Sequence, residues 1–138
     1  MDTAISAHAP TTPRSSGRFW PGSIISGLVI LFLVFDGVTK VIEIGPVLDA
    51  CARLGIPTET VAGIGLTLLA CTAVYAIPQT CVLGAILLTA YLGGAVAIHI
   101  RGGSGTFEIA FAIATGALVW VGLLLREPRL LWTILLRQ

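Results

Sequence analysis

TETVAGIGLTLLACTAVYAIPQTCVLGAILLTAYLGGAVAIHI, residues 58–100, holds two long apolar runs divided only by Pro78 and Gln79. Each run matches the roughly 20 residues that a helix needs to cross the hydrocarbon core of a bilayer. So short a break allows only a tight reversal, which makes the pair an antiparallel hairpin of spans, Thr58–Ile77 and Thr80–Ile100. Helices are required, because lipid offers no partner to an open backbone and a barrel needs eight or more strands of alternating pattern.

Working outward, SIISGLVILFLVFDGVTKVI (residues 23–42) forms the first span and FEIAFAIATGALVWVGLLL (residues 107–125) the fourth, after the flexible linker Gly102-Gly103-Ser104-Gly105. The expected fold is all-α, an integral membrane four-helix bundle over residues 19–138. Composition agrees: of 138 residues 56% are hydrophobic and 11% charged, against about 25% charged in a soluble domain. Residues 1–18, rich in Ser, Thr, Pro and Ala, read as a disordered tail. The first apolar run is long and leads into further membrane segments, so it reads as an anchor that stays attached rather than a cleaved signal.

Several function classes drop out. A net charge of +1, with eight Lys and Arg scattered along the chain, supplies no basic face for nucleic acid. Cys51, Cys71 and Cys81 lack the close spacings of a zinc or redox pair and read as small buried hydrophobes. A haem would want axial ligands within the bundle, and only His99 falls in a span, His8 being in the tail. No phosphate loop, nucleophile elbow or metal cluster is present. A transporter or channel would need a continuous polar path, and the halves of the spans nearest the termini offer only scattered Ser and Thr.

Five basic residues flank the tails (Arg14, Arg18, Arg126, Arg129, Arg137) and three the opposite side (Lys40, Arg53, Arg101), which favours both termini in the cytoplasm. The closing RLLWTILLRQ is too short to cross again and reads as an interfacial segment. Small residues four apart, Ser23 and Gly27, Ala90 and Gly94, Gly93 and Ala97, Ala112 and Gly116, are candidates for close helix contacts, or simply reflect how common small residues are in membrane helices.

The chemistry-bearing residues gather at one end. Asp36, Lys40 and Glu43 share a face of the first span, His99 and Arg101 close the third, and Glu108 opens the fourth. On the same side PVLDACARL (residues 46–54) reads as a short amphipathic helix begun by Pro46 and closed by Gly55 and Pro57, a lid on the bundle. A pocket under that lid with Asp36, Lys40 and His99 in its wall suits a lipid-soluble ligand with a polar head, such as a quinone. The plainer alternative is that Asp36 and Lys40 only neutralise each other, Lys40 snorkels and His99 is an interfacial hydrogen-bonding residue. Tyr91 and Trp120 read as packing residues, and Arg101 as an interface anchor.

Three stretches, SGLVILFLVFDGVTKVI, LACTAVYAIPQTCVLGAILLTAYLGGAVAIHI and LVWVGLLLREPRL, resemble the DoxX-like family of small four-helix bacterial membrane proteins, over nearly everything after Phe19. The most specific part is Pro78 to His99, with Leu83-Gly84-Ala85 and Leu92-Gly93-Gly94-Ala95-Val96-Ala97. The resemblance implies an accessory membrane subunit or a lipid- or quinone-binding bundle, or alternatively the membrane subunit of a quinone-linked oxidoreductase working with a redox partner protein. One departure stands out: relatives commonly place a Glu in the second helix where this chain has Leu68, which removes a carboxylate from any proton or quinone path. The oligomeric state is left open.

Overall fold

A computed structural model of the chain describes residues 19–126, with side chains from residue 21 onward. The expected tail and the terminal RLLWTILLRQ lie outside the described residues. Five helices follow in order: α1 (Phe19–Val41), α2 (Gly45–Arg53), α3 (Thr58–Ala76), α4 (Cys81–Arg101) and α5 (Thr106–Arg126). All but α2 are long and apolar enough to span a membrane, and they run up, down, up and down. In cross-section α1 neighbours α3 and α5, and α4 neighbours α3 and α5, while α2 rests on α3 and α1. One end of the bundle therefore carries the described chain ends, and the other carries α2 and the α4–α5 turn.

Backbone approach is governed by glycines, though not the ones that the four-residue spacing singled out. A Cβ on Gly84 would lie 2.3 Å from the Tyr75 backbone, so α3 and α4 meet main chain to main chain beside their hairpin. Gly122 abuts Ser26 and Gly22 abuts Leu125 and Arg126, which draws α5 onto α1 at the terminal end. Gly37 and Gly65 do the same for α1 and α3 near the α2 end. By contrast, Gly27, Gly93 and Gly94 face open space, and Ser23, Ala90 and Ala97 are exposed. Of the expected contact pairs only Ala112 and Gly116 pack against a neighbouring helix, Ala112 buried and Gly116 in ordinary contact with Leu92, while Ala90 and Gly94 border the open part of the bundle. A helix apolar on every side gives no cue to its rotation, so small residues on a lipid face and on a packed face look alike.

The terminal half is filled. Leu33, Leu68, Leu88, Val119 and Leu123 are fully buried around Tyr75. The Tyr75 hydroxyl donates to Val119 O at 2.9 Å and accepts from Ser26 Oγ at 3.2 Å, tying α3 to both α5 and α1. In hydrocarbon these groups have no water to turn to, so the buried polar trio closes on itself.

Candidate ligand-binding site

Three helices end at the α2 side in the same way. After α1 the amides of Glu43 and Ile44 bond back to Lys40 O and Thr39 O; after α2 those of Gly55 and Ile56 bond to Ala52 O and Cys51 O; after α4 those of Gly103 and Ser104 bond to Ile100 O and His99 O. Each is a Schellman cap, which needs one residue in the left-handed region. Gly55 (φ 73) and Gly103 (φ 67) supply it freely, and Glu43 (φ 53) takes the same conformation with a side chain attached. These caps fix where the chain turns, and so where the polar side chains stand.

The α4 cap carries Ser104 back over the last turn, where its hydroxyl meets His99 Nδ1 at 2.9 Å. This orients the ring and leaves Nε2 as the nitrogen free to meet a ligand. On α1 the four-residue spacing places Lys40 Nζ 2.6 Å from Asp36 Oδ2. At α5 the Glu108 carboxylate folds over Gly105, where a Cβ would stand 2.9 Å from Oε2, an acidic group in the first helical turn as the helix dipole favours.

Between these ends the bundle opens into a cavity of about 500 Å³, within the roughly 300–1,000 Å³ of small-molecule sites. Asp36, Lys40, His99 and Glu108 line it together with Cys51 of α2, and its remaining wall is chiefly apolar, including Leu33, Leu68 and Phe111. Leu54, following α2, closes the roof against α4: a Cβ on Gly102 would lie 2.8 Å from its Cδ2. Glu43 and Arg101, grouped with this cluster by position, are exposed and do not line the cavity. Glu43 serves as the capping residue of α1 instead.

Two participants do not stand out in the sequence as site residues. Tyr91, which the sequence pattern reads as a packing residue, projects from mid-α4 into the cavity wall, and among the described residues its hydroxyl has no hydrogen-bond partner. Ser104, which the sequence pattern reads as part of a flexible linker, holds His99. The Gly-Gly-Ser run after a helix was the available cue, since a Schellman cap returns its last residue over the helix end. Trp120, the other presumed packing residue, donates from Nε1 to Thr89 Oγ1 at 2.9 Å and latches α5 to α4 away from the cavity. Cys71 and Cys81 are buried thiols of the core. Among the described residues no three His, Cys, Asp or Glu side chains stand close enough to hold a metal ion.

Burial pushes the Cys51 thiol up from its ordinary value, an effect offset in part by the Lys40 ammonium and added to by the Asp36 carboxylate. The thiol that faces the cavity is therefore a protonated, weakly polar surface at neutral pH.

Residues 24–122, most of the four spans, match the DoxX-like family. The chain belongs to the DoxX-like family. A search of the curated proteins and of the solved structures returns no match. In this DoxX-like bundle Leu68 is fully buried and forms part of the cavity wall.

Proposed function

We propose that this DoxX-like protein is an accessory membrane subunit that holds a neutral, lipid-soluble molecule with a carbonyl-bearing head, a quinone fitting best, in the cavity beneath α2. The observation that carries this reading is the cavity's division into an apolar wall and a single polar end. Lys40 and His99 can donate hydrogen bonds at that end and the Tyr91 hydroxyl from the wall, and the carbonyl oxygens of a quinone ring accept them. When bound, a quinone would supply redox chemistry; these residues orient its head and exclude water from it.

Charge argues against a phospholipid head in the same place. Asp36 and Glu108 bring two carboxylates against the one ammonium of Lys40, which is already paired with Asp36. Among the described residues no Lys or Arg besides Lys40 lines the wall to meet a phosphate. Leu68 in place of a carboxylate supports holding the ligand over turning it over, and ranks the oxidoreductase subunit second. Basic-residue asymmetry supports cytoplasmic termini, and on that reading the cavity belongs to the outer leaflet of a bacterial inner membrane.

The test is purification in mild detergent, with mass spectrometry of the lipids, quinones and proteins that come through with wild type, Lys40→Ala and His99→Ala. Quinone retained by wild type and lost from both variants is the expected result. A partner protein recovered without any quinone, and unaffected by either substitution, would overturn the ligand and leave an accessory subunit that acts through protein contacts alone.

A further inference from the structure

The cavity's side wall indicates how such a ligand would reach it. At the terminal end α1 and α5 touch through their backbones, at Gly22 against Leu125 and Arg126 and at Gly122 against Ser26. Toward the α2 end the contact passes to side chains, and Phe32 meets Phe111 edge to face with centroids 5.4 Å apart. Phe107 stacks on Phe111 at 6.2 Å. Three of the chain's five phenylalanines thus meet at one seam. All three line the cavity, and all three are also exposed, at 39%, 77% and 47% for Phe32, Phe107 and Phe111. A residue that both lines a cavity and faces outward marks an opening. Phe32 lies nine residues before the end of α1, roughly 13 Å along the helix axis at about 1.5 Å per residue, and Phe107 lies in the first turn of α5, so the opening runs from the helix ends down to the level of the acyl chains.

We infer that the ligand's hydrocarbon tail leaves the cavity sideways between α1 and α5, over the rim of Phe32, Phe107 and Phe111, and that the site is loaded from the lipid. This rests on the ligand reading above. The polar end explains the direction: Asp36 and Lys40 sit on the same α1 face as Phe32, one and two turns nearer the helix end. A head paired with them leaves its chain pointing along that face toward the rim. Phenyl rings joined edge to face can part by rotating, where backbone contacts such as Gly122 on Ser26 cannot. The α4 flank, where exposed Ala90 and Gly94 also reach the cavity, is a second opening, but it has no aromatic rim and does not lie along the α1 face that carries Asp36 and Lys40.

The probe is a benzoquinone bearing an alkyl chain with a diazirine near its free end, photolysed with the full-length protein in phospholipid vesicles; the tailless quinone serves as competitor. Peptide mapping is expected to place label on Phe32, Phe107 and Phe111 and their neighbours, and the competitor is expected to abolish it. Label that is competed but falls on the Ala90 and Gly94 flank or on α2 would overturn the α1–α5 path while leaving the ligand reading standing. Label that the competitor does not reduce would overturn both.

Discussion

At the scale of single residues, the decisive question for each glycine is what its missing side chain makes room for. Gly84 admits backbone: an added Cβ would stand 2.3 Å from Tyr75 Cα and N, atoms that cannot yield without parting α3 from α4. Gly93, nine residues along the same helix, meets nothing within 4 Å. Gly84→Ala is accordingly expected to cost about 3 kcal/mol of stability, and Gly93→Ala close to nothing, in unfolding from mixed detergent micelles. Equal losses would contradict the packing described. None of this contrast is legible in LGGAVA or VLGAIL, because Gly84 and Gly93 sit in equally apolar surroundings, and only the partner helix distinguishes them. Tyr91 and Ser104 stayed hidden for a related reason, since a hydroxyl's role depends on what stands across from it. Asp36, Lys40 and His99 were legible as candidates because ionisable groups in a span are costly and so stand out from their neighbours.

At the scale of elements, the four spans were plain in the sequence, since length and apolarity alone determine them, and their observed ends fall within a few residues of the expected ones. The lid was legible too, through Pro46 at its start and Gly55 at its close. What was not legible is that α1 ends in the same cap as α2 and α4 but with Glu43 in the left-handed position. A side chain there carries a steric cost that glycine avoids. Glu43→Gly is expected to stabilise the protein by about 0.5–1 kcal/mol, read by the same unfolding assay; destabilisation would assign the Glu43 side chain a role that its exposed position does not suggest. The lid itself reports through Cys51. Burial in the docked helix favours the neutral thiol, so docking keeps its full stability below the ordinary thiol value of 9.0 and loses it as pH rises through the elevated one. Maleimide labelling of Cys51, followed by peptide mass spectrometry, is expected to show a pH midpoint above 9.0 and to slow further when quinone is added. A midpoint at or below that value would mean that α2 stands open.

At the scale of the whole molecule, the bundle is tight at the end that carries the described chain ends and hollow at the other. Tyr75, Ser26 and Val119 bind three helices at the filled end, while glycine contacts between α1 and α3 keep one wall of the hollow end closed. Such a division suits a bundle that receives a molecule from its surroundings without losing its own packing, as the rigid half carries the stability and the open half the ligand. Gly94 offers the cleanest handle on that idea. It lines the cavity and has nothing within 4 Å of the place a Cβ would occupy, so a larger side chain fills the void without striking the core. The measurement that tests the account most directly is equilibrium binding of a long-chain quinone to the purified protein, wild type against Gly94→Leu, with unfolding followed in parallel. The account predicts saturable binding by wild type, and loss of that binding in Gly94→Leu at unchanged stability. Undiminished binding by a stably folded Gly94→Leu, or no saturable binding by wild type, would contradict it.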